Sequence, residues 1–250
     1  MSERDPFDFS DQVVVVTGSS SGIGEAIARA CVARGARVVV NSSSSVEAGT
    51  ALAEELGDAA IYRQGDISKE EDGRAVLEGA AAQWGRIDHL VNNAGTTAVI
   101  PHHDFDALTE DVWRRILDVN LLGTFFLSRL ALPYLRETKG SIVNVTSLAG
   151  VRQVGSSIPY SVSKAALNHL TKLMANQVGP EVRVNALAPG LIETPWTAEW
   201  DEAHEQMKRA APLQRSGTSE DMAAACIGLM ASPYTTGAVL LSDGGVNLRG

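Results

Sequence analysis

The sequence predicts a doubly wound α/β fold, a parallel sheet of about seven strands with helices on both faces. Three observations carry that expectation. Short β-branched runs alternate with helix-length amphipathic segments along all 250 residues. Several of these runs are apolar at nearly every position, as strands covered on both faces should be. No Pro/Ser-rich linker, charge block or internal repeat divides the chain, so residues 1–250 read as one domain.

The strands are expected at Val13–Val16, Arg37–Val40, Ala59–Tyr62, His89–Val91, Ile142–Val145, Arg183–Leu187 and Ala238–Leu241. Between them, Glu25–Arg34 stops at Gly35 and Leu77–Trp84 at Gly85, both placed as C′ glycines. Ser44-Ser45-Val46-Glu47 has capping-box spacing before the next helix. Long helices over Leu108–Leu135 and Ser157–Val178 follow the fourth and fifth strands. Gly95–Leu108 and Leu191–Pro212 fit the alternation poorly, and both come after strand ends, where open α/β sheets place ligands. The second carries Pro195, Trp196, Trp200 and Met207. It reads as a substrate lid over about 191–212, with an ordinary surface loop as the alternative.

Hydrophobic residues make up 44% and charged residues 20%, which excludes disorder. The formal net charge of −9 repels phosphate backbones and anionic membranes, so neither nucleic acid nor a membrane is expected as a partner. The most apolar stretch, Leu121 to Leu135, is interrupted by Arg129 and Pro133 and is short for a bilayer. The first residues lack the apolar run of a signal peptide, and Cys31 and Cys226 suit a reducing compartment. A soluble, cytoplasmic protein is expected. No metal site is expected either. His102-His103-Asp104 reads as a solvated loop, and His169 and His204 as packing or surface residues.

Val13–Val16 runs into Thr17-Gly18-Ser19-Ser20-Ser21-Gly22-Ile23-Gly24 and then a helix. Glycine is needed where the backbone turns with positive φ or approaches a ligand closely. The helix N-terminus beyond offers N–H groups and a positive dipole end to a pyrophosphate. The spacing is neither G-x-G-x-x-G nor a Walker A loop. In its strand–turn–helix setting it points to a nucleotide, with a plain tight turn as the alternative. Asn92-Asn93-Ala94-Gly95 could hydrogen-bond across neighbouring strands and leave room beside a cofactor, or be only a turn. Asp66-Ile67 is a ligand contact or an acidic N-cap.

Tyr160 and Lys164 open the second long helix at i and i+4, on one face. A free phenol has a pKa of about 10, and lowering it by about 3 units takes roughly 4 kcal/mol. One cation at about 4 Å and an effective dielectric near 20 is worth that order. Lys164 could therefore activate Tyr160, although such a pair taken alone is more often found on a solvated helix face. Ser147 ends the fifth strand and could donate to a substrate oxygen. Asn120 sits mid-helix, where Asn is mildly unfavourable, and is understandable if it holds a water or a backbone carbonyl.

Together these residues resemble the short-chain dehydrogenase/reductase family in its single-domain branch. The markers are Thr17-x3-Gly22-Ile23-Gly24, Asp66, Asn92-Asn93-Ala94-Gly95, Asn120, Ser147, Tyr160-x3-Lys164, Pro189-Gly190 with Thr194, and Gly237 to Gly245 as the last strand and turn. The resemblance, similar in tone to 3-oxoacyl-[acyl-carrier-protein] reductases, implies a Rossmann-type fold. It also implies an NAD(P)H-dependent oxidoreductase that interconverts a ketone and a secondary alcohol. Tyr160 would be the general acid/base and Ser147 would bind the substrate oxygen. Lys164 would lower the tyrosine pKa and hold the nicotinamide ribose, and Asn120 would hold a water of a proton relay. The cofactor site would take in Gly18, Ser20, Ser21, Gly22, Ile23, Gly24, Asp66, Ile67, Asn93, Ala94 and Gly95. Pro189, Gly190, Ile192 and Thr194 would complete it on the nicotinamide side.

The second strand ends Val40-Asn41-Ser42-Ser43-Ser44, without the acid that usually binds the NAD ribose 2′-hydroxyl. Asn41, Ser42 and Ser43 therefore favour NADP(H) over NAD(H), although Ser21 and Ser42 stand where NADP-specific relatives often carry Arg. Trp196 and Trp200 suggest an apolar substrate wall, or else core or subunit contacts. Family members commonly form tetramers through the two long helices. Trp113, Phe125, Phe126, Leu130, Leu170 and Leu173 spread over more than one stripe there, which predicts a homotetramer, with a dimer second. Alternatives of other classes are a non-catalytic dinucleotide-binding regulator and a nucleotide-sugar epimerase or dehydratase. The intact Ser147, Tyr160 and Lys164 argue against the first. The lack of an extension beyond the last strand argues against the second.

Overall fold

Four consecutive valines form strand β1 (Val13–Val16), and all four are buried because helices cover both faces of the sheet. The computed structural model describes residues 5–249. The remaining strands are β2 (Arg37–Ser42), β3 (Ala60–Gln64), β4 (His89–Asn92), β5 (Ser141–Val145), β6 (Arg183–Pro189), β7 (Ile192–Glu193), β8 (Gly217–Thr218) and β9 (Val239–Ser242). Seven of them form one parallel sheet in the order β3-β2-β1-β4-β5-β6-β9, and β7 and β8 pair separately. In register, Val14 lies beside Val38 and Val15 beside Leu90. The strand order reverses between β1 and β4, the place where such sheets open a crevice at their carboxyl ends.

The period of two along β1 sorts its side chains into two cores. Val14 and Val16 join Ile27 and Cys31 of α1 (Gly22–Val32). Helix α2 (Val46–Leu56) adds Leu52 to the same core. Val13 and Val15 face the other side, with Val76 of α3 (Glu70–Trp84). Helix α4 (Glu110–Leu117) leads into α5 (Thr124–Thr138), which buries Leu127 and Leu135 there. Helix α6 (Ile158–Val178) adds Met174. Helix α7 (Asp201–Ala210) has no fully buried residue. Helix α8 (Ser219–Ala231) returns to α1, placing Met222 and Cys226 in the first core.

The expected strands lie within two residues of those observed. The helices differ more. α1 begins at Gly22, inside the glycine turn, and α3 begins at Glu70, about two turns before the expected start. The capping box at Ser44–Glu47 does not form: Ser45 is the N-cap of α2 and its side chain makes no capping bond. Gly85 ends α3 in the left-handed conformation, as expected of a C′ glycine. Between α4 and α5 lies a π-helical turn, Asp118–Gly123, that contains Asn120. The run Glu110–Thr138 is long and apolar enough by length and composition to cross a membrane, which corrects the shorter span read from Leu121–Leu135. Here it lies against the sheet, with Ile116, Leu127, Ala131 and Leu135 fully buried.

Candidate active site

The segments after β1, β4, β5 and β6 open on one cleft of about 1770 Å³. Every residue expected at the site lines it except Gly24 and Asn120, which are buried behind its wall.

At one end the glycine turn is fixed from below. Gly18 has φ +58, and a Cβ there would come 2.8 Å from Ala94 Cα. A Cβ on Gly24 would strike Gly18 O. Asn93 Nδ2 donates to Gly18 O at 2.8 Å and Thr17 O at 3.0 Å, and Thr17 Oγ1 accepts from the N–H groups of Asn93 and Ala94. The Asn92–Gly95 segment therefore clamps the turn. It also bonds across strands as expected, since Asn92 Nδ2 donates to Asn144 Oδ1 at 2.8 Å. Ser21, the N-cap of α1, makes no side-chain cap, leaving the first-turn N–H groups for a ligand. A turn that only glycine can make, ahead of an uncapped helix start, fits the pyrophosphate of a dinucleotide.

The end of β2 is arranged differently from the expectation. Asn41 is buried, and its amide is spent on Gly18 N–H, Arg63 O and Gly65 O. It holds the turn and has no amide hydrogen left for a phosphate. Ser42 Oγ pairs with Tyr62 Oη at 2.9 Å, whereas Ser43 and Ser44 are exposed on the cleft. Asp66 is not the N-cap of α3, a place taken by Lys69. Its carboxylate accepts the N–H and hydroxyl of Ser68 beside the cleft. Ile67 is buried next to it.

At the other end, Ser147 leaves β5 in extended conformation and its Oγ accepts from Ala149 N–H at 3.1 Å. Ser157 caps α6 through Tyr160 N–H, which starts the helix so that Tyr160 and Lys164 share one face. The Tyr160 phenol and Ser147 line the same stretch of the cleft. Lys164 is buried, donates to Val145 O at 2.9 Å and lies 5.8 Å from the centre of the Tyr160 ring. Burial pushes the phenol above its usual value, with the nearby Ser147 hydroxyl opposing. Burial also pulls Lys164 down to about 8. The protein alone thus does not produce the lowering of Tyr160 that a cation at about 4 Å would give.

Asn120 Nδ2 donates to Thr96 O and Ser163 Oγ, and its Oδ1 accepts from Thr96 N–H. The backbone-holding reading is therefore observed: both amide hydrogens are used, and Oδ1 keeps one lone pair. Gly95 fits between Asn120 and Lys164, where a Cβ would come 3.4 Å from Asn120 Oδ1 and 3.6 Å from Lys164 Nζ. On the far wall, Gly190 packs so tightly that a Cβ would lie 2.8 Å from Asp243 Cα. Segment 191–212 is more regular than a loop, with β7, a 3-10 turn at Pro195–Thr197 and α7. Trp196 is half exposed, and both it and Trp200 face the cleft.

The comparisons with known proteins agree. A family described as enoyl-(acyl carrier protein) reductase matches residues 18–247. A Streptomyces violaceoruber protein assigned as ketoacyl reductase 2 of the granaticin polyketide synthase is 52% identical over 240 residues, covering 94% of this chain and 96% of its own. The chain belongs to the short-chain dehydrogenase/reductase family. The L-fucose dehydrogenase of Oryctolagus cuniculus is 38% identical over 254 residues, covering 96% and 86%. A short-chain dehydrogenase/reductase of Burkholderia xenovorans superposes with a TM-score of 0.89 at 37% identity, covering 95% and 98%. This short-chain dehydrogenase/reductase is an oxidoreductase of a ketone and alcohol pair, with a nicotinamide dinucleotide as cofactor.

Several of its cleft residues were not read from the sequence. His102 stands in an open loop, as expected, beside the exposed His103 and Asp104, and it also lines the cleft and contacts Gly155 O. Arg115 and Arg152 line it too. The one available signal for Arg152 was a charge five positions after Ser147 in an otherwise small and apolar stretch. His204 is a packing residue, as expected, set between Ser216 Oγ and Thr197 O.

Proposed function

We propose that Tyr160 is the general acid/base of a ketone reduction, or of its reverse, with NADP(H) favoured over NAD(H). The observation that carries this reading is the convergence of Ser147, Tyr160 and the buried Lys164 in one wall of the cleft. The nicotinamide supplies or accepts the hydride. Tyr160 gives its proton to the substrate oxygen or takes it back. Ser147 accepts from Ala149 N–H, so its own hydroxyl hydrogen remains to stabilise charge on that oxygen. Lys164 keeps a positive charge near the phenol, opposing the effect of burial, and binds the ribose. Asn120 positions Gly95 and Thr96 beside Lys164.

The NADP(H) preference is supported by the absence of a carboxylate at the end of β2 and by the exposed Ser43 and Ser44 ahead of α2. The similarity to an assigned ketoacyl reductase supports a 3-oxoacyl type of ketone, while the net charge of −9 counts against docking a strongly acidic carrier. In this reading residues 1–250 act as one domain, segment 191–212 is the substrate lid, and Trp196 and Trp200 form its apolar wall. No metal, nucleic acid or membrane is required. A cytoplasmic homotetramer is the proposed form. Exposed Leu122, Val162 and Leu173 on the long helices support it, although Phe125, Leu130 and Leu170 pack within the subunit.

The test is Tyr160→Phe. Turnover of a ketone panel should fall by a factor on the order of 100 to 10,000, the range of general acid–base catalysis. Cofactor affinity, read by quenching of protein fluorescence, should stay within about twofold. Activity within about tenfold of the parent removes Tyr160 from the role.

A further inference from the structure

Six of the arginines pair with carboxylates, among them Arg29 with Glu55, Arg86 with Asp88 and Arg215 with Asp221. Arg152 does not. It is half-buried in the cleft, and its one side-chain hydrogen bond runs from Nη1 to Val246 O at 3.1 Å. No acidic side chain pairs with it among the described residues. A guanidinium has five N–H donors in a planar fork that matches carboxylate or phosphate. Nε and Nη2 are left without a protein partner among the described residues.

Its place in the fold follows from its neighbours. Arg152 N–H donates to Leu148 O at 2.9 Å, which sets it one turn beyond Ser147. Val246, whose carbonyl holds the guanidinium, packs with Leu148, Ala211 and Met207. Arg152 therefore stands between the strand end that carries Ser147 and the helix α7 of segment 191–212. At a rise of about 1.5–2 Å per residue, five residues of turn put it roughly 8–10 Å along the chain from Ser147.

We propose that Arg152 is a specificity-determining residue that binds an anionic group of the substrate, a carboxylate or a phosphate, while the carbonyl lies at Ser147 and Tyr160. This rests on the ketone-reduction reading above and narrows its substrate class to carbonyl compounds with a remote negative charge. Exposed Val151 and Val154 flank the site and suit the apolar stretch between the two groups.

The experiment compares matched pairs that differ only in charge. One arm uses an oxo acid and its methyl ester. The other uses a 3-oxoacyl thioester of 4′-phosphopantetheine and the same thioester of pantetheine. The wild type should prefer the anionic member in at least one arm, and the arm identifies carboxylate or phosphate. Arg152→Met should lower kcat/KM for that member about tenfold to a hundredfold, chiefly through KM, as expected for a lost charge-assisted hydrogen bond. The neutral member should change less than about twofold, and Arg152→Lys should recover part of the loss. Equal losses on both members would make Arg152 a structural support for Val246 and overturn the proposal, as would a wild type indifferent to charge in both arms. If neither member is turned over, the ketone-reduction reading fails separately. Calorimetric binding of the same pairs to wild type and Arg152→Met then decides the anion site by itself.

Discussion

Removing the charge of Lys164 should make the protein more stable while removing its activity. Lys164 is 4% exposed, and burial lowers its pKa from 10.5 to about 8. At about 1.4 kcal/mol per pH unit, that gap corresponds to about 3 kcal/mol of destabilisation wherever the amine is charged in both folded and unfolded chains, which is below pH 8. Lys164→Met removes this cost and fills a similar volume. It also takes the donor from Val145 O, a loss of about 1 kcal/mol softened because Val145 lines the open cleft. A net gain of roughly 1–2 kcal/mol remains, about 2–8 °C in Tm for a chain of this size. Between pH 8 and 10.5 the unfolded chain binds the proton that the folded one has released. Wild-type stability therefore rises through that window and the advantage of the variant shrinks. The assay is urea unfolding of both proteins without nucleotide, at equal protomer concentration, at pH 7 and pH 10. A variant less stable than wild type at pH 7, or an advantage that grows toward pH 10, refutes the reasoning.

Ser43→Asp should shift the ratio of kcat/KM for NADPH over NADH toward NADH by tenfold or more, because the exposed carboxylate would meet a 2′-phosphate at the cleft wall. An unchanged ratio places the phosphate elsewhere, and Asn41→Asp is the poorer variant because a carboxylate cannot donate to Arg63 O and Gly65 O. His89 is buried between Gln12 and Ser141, and burial lowers its pKa to about 4. Stability should thus fall as pH drops from 6.5 to 4, by up to about 3 kcal/mol. His89→Gln should flatten that dependence in urea unfolding at pH 7 and 4.5, and an equally steep fall in the variant assigns the effect to other groups.

The strands were legible because burial on both faces leaves an unmistakable apolar run, as in Val13–Val16. The chemistry was legible because Gly18, Ser147, Tyr160 and Lys164 sit at element ends that the pattern itself locates. What stayed hidden depends on contacts between distant segments. The π-turn at Asp118–Gly123 has no local signature: Gly123 lies where a Cβ would come 2.6 Å from Ile67 O, so the turn is shaped by a loop more than fifty residues earlier. Asn41 looked like a ligand contact because strand-end amides often are, and only the approach of Gly65 and Arg63 shows that its amide is consumed. The start of α3 was missed because Glu70, Glu71 and Asp72 carry no apolar period, although acids there suit a helix N-terminus.

The same long-range contacts explain how a charged lysine is kept in a buried site. Among the described residues Lys164 Nζ makes one hydrogen bond, to Val145 O, so its position depends on the surrounding frame. That frame is polar and continuous. Asn120 grips both backbone groups of Thr96 and also Ser163, the residue before Lys164. Asn144, beside Val145 on β5, accepts from Asn92 and donates to Thr171 of α6. The Asn120–Ser163 and Asn144–Thr171 bonds tie α6 to the π-turn and to β5, and the others carry the frame on to Thr96 and β4. Buried networks of this kind fix one geometry even though Asn92 Oδ1 is left without a partner among the described residues. The π-turn belongs to the same device, since it carries the backbone of Asn120 toward Thr96 while Gly123 lets the helix pass under Ile67. The phenol and the ammonium are held in place by amides and hydroxyls that never need to touch substrate.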